Sequence, residues 1–330
     1  MDSHVESLLL ACTGANRIVP AGRIQSLWSG YGSIDRYHLS GAAAASVVVK
    51  HVRFPNPDRV DVAHPRGWGG THSDLRKRHS YRVETNWYQH WVTHCDSACR
   101  VPHCLAVESH EDEVLIVLED LADSGYSVAK RHVSPVDLTQ CLSWLAHFHA
   151  QFMCRLPDGL WPVGTYWHLD TRPDEWRAMD DERLRTAAHW LDDTLSNAPY
   201  RTLVHGDAKL ANFLFSPSDA AVAAVDFQYV GGGCAMKDLA YFISSCFGEH
   251  ACEQREAEFL DAYFDLLKGA LRLRRKDIPD VDDVERTLRP LYAVAWTDFY
   301  RFLKGWSPGH WKIHSYSERL ARQVLASMPT

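Results

Sequence analysis

The sequence predicts an α+β protein of two lobes, β-rich at first and mainly helical afterwards. Three observations carry this. Residues 22–54 alternate β-branched runs with glycine turns, as a meander does. Residues 134–152 repeat apolar side chains at helical spacing. A length of 330 residues suits two lobes, each with its own core. The boundary is expected near Asp120–Asp123, giving an N-terminal lobe of residues 1–120 and a C-terminal lobe of residues 121–330.

The elements follow in order. RIQSLW reads as a strand closed by the turn SGYG, and SIDRYHL is the next strand. SGAAAA leads into SVVVKHV, where the run Val47 to Val49 stops at Lys50, a charge in place of the next apolar residue. Residues 55–79 are rich in Pro, Gly, His and charge and predict a long loop. SYRVETNWYQHWV has a helical pattern and carries Glu84. RVPHCLAVES and EVLIVLEDL predict a hairpin of strands. Ser134 suits an N-cap, Pro135 the first helical position and Asp137 the first turn. Leu138, Cys141, Leu142, Leu145, Phe148 and Phe152 then share one face. TLVH, NFLF and VAAVDF predict short strands. Helices are expected over about 251–274 and 282–304, parted at Pro279 and Asp280.

Composition excludes some functions. The chain is 46% hydrophobic and 23% charged, with a net charge of −7. An acidic balance argues against a nucleic-acid partner. No apolar run approaches the roughly 18–20 residues that span a bilayer. MDSHVESLLLACTG lacks a basic start and makes a poor signal peptide. Nine cysteines without framework spacing read as reduced thiols, which implies a cytoplasmic protein. The cluster His94, Cys95, Cys99, His103 and Cys104 lacks the paired knuckles of a zinc site. No obligate protein partner is implied.

The chemistry concentrates in LVHGDAKLANFLFSPSDAAVAAVDFQ, residues 203–228. A carboxylate beside a substrate hydroxyl can orient it and accept its proton. Mg2+ takes oxygen ligands, commonly one or two from the protein with phosphate oxygens and waters completing the set. Asn212 offers a neutral oxygen and Asp226 a charged one, which leaves Asp207 free to act as the base. The segment between Asn212 and Asp226 suits a hairpin.

HGDAKLAN followed by VDFQ resembles the catalytic loop and metal-binding Asp of the aminoglycoside phosphotransferase and choline kinase superfamily, which has a protein-kinase-like fold. MKDLAYFI and WTDFYRFLKGW make the chain most similar to the ecdysteroid-kinase-like branch. The resemblance implies a bilobal protein-kinase-like fold, with one main helix in the β-rich lobe. It implies ATP and Mg2+ as cofactors and a small-molecule hydroxyl acceptor. It further implies that Asp207 is the catalytic base, that Asn212 and Asp226 bind the metal, and that His205 and Asp238 support the loop. Lys50 would reach the α- and β-phosphates with Glu84 as its ion-pair partner. Backbone groups of Glu119 and Leu121, in LEDL, would meet adenine, and Gly30, Gly32 and Ser33 would lie over the phosphates. DFQ stands where protein kinases have DFG.

Trp296, Tyr300, Trp306 and Trp311 are candidates for an acceptor pocket, with Trp296 and Tyr300 four apart on one helix face, although core packing is the better reading of each residue alone; Asp298, Lys304 and Lys312 are further candidates that nothing in the sequence separates. The tryptophans and acidic balance lean towards a hydrophobic or cationic acceptor. Steroid alcohols, choline, aminoglycosides, sugars and hydroxyacyl thioesters all suit the superfamily. The alternative function is a non-catalytic kinase-like module that binds a ligand or protein. A metal-dependent hydrolase would want more histidine or carboxylate ligands.

Overall fold

The computed structural model describes residues 2–27, 30–54, 71–218 and 221–329. Two compact units result. The first comprises Met1–Asp96, Arg100–Ala129 and Leu214–Gln228; the second comprises Ser97–Cys99, Lys130–Phe213 and Tyr229–Thr330.

The first unit opens with helix α1 (Ser3–Thr13), then strands β1 (Arg17–Ser26), β2 (Gly32–Ser40) and β3 (Ser46–Arg53). Helix α2 (Thr71–Asn86) follows, and then β4 (Cys104–Ser109) and β5 (Glu113–Glu119). The five strands form one antiparallel sheet in the order β1-β2-β3-β5-β4. The two-residue period of β3 sends Val47 and Val49 to one face and Lys50 to the other. Val47 and Val49 pack with Leu115, Val117 and the α1 residues Val5 and Leu9. The sequence reading did not foresee α1, although Asp2 caps its start and Gly14 ends it in the left-handed region.

The helix α2 begins at Thr71, which corrects the loop expected over residues 71–79; residues 55–70 lie outside the described residues. The stretch THSDLRKRH has no apolar stripe for periodicity to detect. Polar contacts hold it instead, with Arg78 on Asp74 at 2.7 Å and the Tyr31 hydroxyl donating to the same carboxylate. A π-helical turn over Trp87–Trp91 and a 3-10 turn over Val92–His94 end this helical segment.

A three-stranded sheet β6-β8-β9 completes the unit, from β6 (Val128–Ala129), β8 (Phe213–Phe215) and β9 (Val222–Ala224). The expected hairpin between Asn212 and Asp226 is therefore β8 and β9. The second unit holds β7 (Thr202–Val204) and β10 (Gly231–Gly233), paired antiparallel, among its helices. Helix α3 (Pro135–Phe152) starts at Ser134 with a reciprocal cap: the Asp137 N–H donates to the Ser134 hydroxyl at 3.2 Å, and the Ser134 N–H to the Asp137 carboxylate at 2.9 Å. Helices α4 (Pro173–Arg177), α5 (Glu182–Ser196), α6 (Met236–Cys246) and α7 (Glu249–Arg274) come next. The helix expected over 282–304 is two, α8 (Val281–Leu288) and α9 (Leu291–Trp306), because Pro290 has no N–H to continue the first. Helix α10 (Ser315–Ala326) ends the unit.

Ser134→Ala removes the acceptor at the start of α3. It should lower stability by about 1 kcal/mol, read as a lower urea midpoint at unchanged slope.

Candidate active site

In the second unit, β7 delivers the chain into His205, Gly206 and Asp207. Asp238 stands in the first turn of α6, fully buried. Its carboxylate accepts the His205 N–H at 2.5 Å and the Gly206 N–H at 2.9 Å. His149 Nε2 lies 3.2 Å from it, and His149 Nδ1 lies 2.7 Å from the Tyr263 hydroxyl. Gly206 has φ +80°, and a β-carbon there would sit 2.0 Å from the Tyr229 carbonyl oxygen. Only glycine fits both demands.

The loop then turns on its own side chains. The Asp207 N–H donates to His205 Nδ1 at 3.2 Å. Asn212 Nδ2 donates to the Asp207 carbonyl at 2.8 Å and to its carboxylate at 3.1 Å. Among the described residues no donor reaches Asn212 Oδ1, so the amide presents an oxygen suited to a hard cation. Lys209 Nζ sits on the Asp207 carboxylate at 2.7 Å. The Tyr241 hydroxyl interacts with both Asp207 and Tyr166, and burial raises its pKa well above the ordinary value.

In the first unit, β3 carries Lys50 and α2 carries Glu84. The Lys50 ammonium lies 2.6 Å from Glu84 Oε2 and 3.4 Å from Asp226 Oδ1. Lys50 and Glu84 are buried, whereas Asp226 keeps 34% of its side chain exposed. Burial alone would lower the Lys50 pKa, but the charges of Glu84 and Asp226 outweigh it and raise the value. Burial, aided by Asp226, raises the Glu84 carboxyl against the pull of Lys50. Two carboxylates around one ammonium leave a net negative group, which a divalent cation at Asp226 would offset.

Asp226 has φ +70°, a strained conformation for a residue with a side chain. Its neighbours hold it there. Phe227 stacks on Trp87 at 4.4 Å between ring centres. Gln228 donates to Asp226 Oδ1 at 2.9 Å, while its own carbonyl accepts from Lys77 at 3.3 Å and Ser80 at 3.2 Å, both on α2.

The remaining candidates lie as follows. Gly32 opens β2 with φ +126°, and a β-carbon there would meet the His51 carbonyl at 2.0 Å. Gly30 precedes the buried Tyr31, and the Ser33 hydroxyl donates to Asp35. In LEDL, Glu119 pairs with Arg100 and accepts the His103 N–H at 2.9 Å, and the Leu121 carbonyl accepts the Tyr126 N–H at 2.8 Å. Asp120 between them binds Arg36 and the Ser46 hydroxyl.

The four aromatics do not form one wall. Trp296 and Tyr300 are core, the better of the two readings open to them in the sequence, and not pocket walls. The Trp296 N–H donates to Ser317 at 2.9 Å and its ring packs on Tyr316, while Tyr300 packs among Met179, Leu184 and Ala321. Their face of α9 is taken by α5 and α10. Trp306 stacks on Phe302, and Trp311 is 60% exposed.

The sequence assigns no role to Lys209, Gln228 or Tyr241, and offers Lys312 only as one further acceptor candidate among others. The signals for the first three were their places inside the HGD, DFQ and KDLAYF strings. Lys312 stood only among the further acceptor candidates, because nothing in its local sequence sets a lone lysine apart from Asp298 or Lys304. Its ammonium is buried over the Tyr241 ring at 4.7 Å, and burial lowers its pKa to about 8.

The family model described as ecdysteroid kinase-like matches residues 70–156 and 170–275. Structural comparison aligns the chain with aminoglycoside phosphotransferase APH(4)-Ia at 14% identity and a TM-score of 0.46, over 100% of each chain. It also aligns with choline kinase LicA from Streptococcus pneumoniae at 13% identity and 0.44, over 99% of each chain. A third alignment is to aminoglycoside phosphotransferase APH(3'')-Id from Streptomyces rimosus in complex with ADP and streptomycin. There identity is 14%, the TM-score 0.43, and coverage 88% of this chain and 98% of that one. No curated protein matches the sequence.

Two outcomes follow from this geometry. Asp238→Ala strands two buried N–H groups and should cost about 2–5 kcal/mol, seen as a lower melting temperature. Lys312 titrates near 8 when folded, against an ordinary 10.5. Between those values the unfolded chain holds a proton that the folded one has released, so stability rises with pH across the window. Lys312→Met should flatten that rise, measured as melting temperature against pH for both proteins.

Proposed function

The chain belongs to the ecdysteroid kinase-like family, and from that membership we propose that it transfers the γ-phosphoryl group of ATP to a hydroxyl group of a small molecule. The observation that carries this reading is the buried Lys50 ammonium between Glu84 and Asp226. Taking an ion group out of water costs several kcal/mol per ion and is a poor way to stabilise a fold. Its value lies in presenting a fixed cation to anionic phosphates.

In the proposed mechanism Lys50 binds the α- and β-phosphates, with Glu84 holding its ammonium in place. Gly30, Gly32 and Ser33 lie over the phosphates, and backbone groups of Glu119 and Leu121 meet the adenine. The residues that would hold Mg2+ are Asn212 and Asp226; bound there, the ion would offset phosphate charge. Asp207 accepts the proton of the acceptor hydroxyl as its oxygen bonds to the γ-phosphorus. The β–γ bridging bond breaks and its electron pair leaves with ADP. Lys209 and Asn212 hold the Asp207 carboxylate in one orientation, and His205 and Asp238 hold the backbone beneath it. The first unit thus binds nucleotide, and the second supplies the base and the acceptor site.

ATP and Mg2+ are available in the cytoplasm, where we place the protein. All nine cysteines are free thiols. Among the described residues no helix is long and apolar enough to cross a membrane.

ATP with Mg2+ should raise the melting temperature by a few degrees, about 2.7 kcal/mol at 100 times the dissociation constant. The shift should disappear with EDTA and in Asp226→Ala. Asp207→Asn should keep the shift yet lose roughly 100- to 10,000-fold in turnover. No shift with millimolar ATP or GTP would replace this reading with a non-catalytic binding module.

A further inference from the structure

Lys312 lies on the segment between α9 and α10, and its environment is unusual for a lysine. The residue is only 8% exposed. Its ammonium sits over the rings of Tyr241 at 4.7 Å, Phe299 at 5.2 Å and Trp311 at 5.5 Å. Among the described residues its one hydrogen bond is to the Ser244 hydroxyl, at 3.2 Å. Among the described residues no carboxylate lies within ion-pair distance of it.

Among the described residues, every other buried lysine or arginine of the second unit has an acid. Arg301 pairs with Asp298 at 2.8 Å, Lys237 faces the same Asp298 at 3.7 Å, and Arg172 pairs with Glu175 at 2.9 Å. Lys312 stands apart from this pattern. Its position is fixed from both ends, since the Lys312 N–H donates to His310 Nδ1 at 3.2 Å and its carbonyl accepts the Ser317 hydroxyl at 3.0 Å.

The place of this unpaired charge is as informative as its burial. The Tyr241 ring lies under Lys312, and the Tyr241 hydroxyl interacts with Asp207. Asp207 and Lys209 are both near enough for their charges to act on the Lys312 amine. The charges of two lysines therefore act on the carboxylate assigned as base, and Lys209 is already engaged with it at 2.7 Å. A cationic acceptor would bring a third positive charge into this setting. An anionic one would give Lys312 the partner that the protein withholds.

Resting on the phosphotransferase reading, we propose that the acceptor is a small hydroxy compound bearing an anionic group, a carboxylate or a phosphate, which Lys312 recognises. Tyr241 and Trp311 supply aromatic surface for its apolar part. Lys312 determines specificity; it takes no part in moving the proton. An anionic acceptor replaces the hydrophobic or cationic one towards which composition leans.

The test uses the full chain, its Lys312→Met variant and its Ser244→Ala variant, at pH 7. The probes are matched sets: 4-hydroxyphenylacetate with its amide and tyramine, and glycerate with glycerol 3-phosphate and glycerol. Melting curves without nucleotide read binding, and ADP release with ATP and Mg2+ reads transfer. The wild type should respond to the anionic member of a set in preference to the neutral or cationic one. Lys312→Met should weaken that response roughly 10- to 100-fold, the worth of a charge-assisted bond. The same variant should melt higher than wild type without ligand, because it removes an uncompensated buried charge. Ser244→Ala should keep the preference for anions. The glycerate and glycerol 3-phosphate arms distinguish carboxylate from phosphate. The proposal is overturned if Lys312→Met melts lower, if tyramine or the amide serves as well as the acid, or if no anion in either set shifts the wild type. Loss of the ATP and Mg2+ shift in the wild type would count against the phosphotransferase reading alone, since the anion response is read without nucleotide.

Discussion

The second unit turns on one carboxylate. Asp238, sealed from solvent in α6, accepts N–H groups from His205 and Gly206 and meets His149 from α3. Two successive backbone donors satisfied by one anion fix the direction in which β7 leaves its sheet. Everything downstream inherits that direction: the His205 ring that receives the Asp207 N–H, and the Asn212 amide that closes on Asp207. A buried charge is costly unless it is fully bonded. Asp238 meets that condition while setting the geometry of the loop, so its cost to folding and its service to the site arise from the same bonds.

The buried cations divide by what surrounds them. Lys50 has two carboxylates, and their fields raise its pKa despite burial. Lys312 has a hydroxyl and three rings, and burial pulls its pKa down to about 8. The first is a charge held ready by its own chain. The second is a charge left for something else to complete. The difference follows from neighbours alone, since the two side chains are chemically the same.

The DFQ glutamine has a comparable lesson. A glycine at that position could contribute only backbone freedom. Gln228 instead ties Asp226 to α2 through Lys77 and Ser80, while Phe227 stacks on Trp87 of the same helical segment. The strained φ of Asp226 is thus held by side chains on either side of it, and α2, which also carries Glu84, holds both ends of the arrangement. Such tethering favours one fixed conformation over a switch.

Local signals were legible in the chain itself. The Ser-Pro-x-Asp start of α3, the β-branched run of β3 and the short strands that flank the HGD string each depend on residues close together in sequence, and each took its expected form. Local chemistry also misled where its signal was weak. The start of α2 has no apolar stripe, α1 buries only Val5 and Leu9, and Pro290 divided a helix whose periodicity ran on past it. What only tertiary structure decided is which side chains meet across long sequence distances. Trp296 and Tyr300 became core because α5 and α10 cover their face of α9. Lys312 became a buried cation over Tyr241, 71 residues earlier in the chain. Periodicity and motif spacing act over a turn or a strand, whereas burial and the partners of a charge are set by the packing of the whole unit.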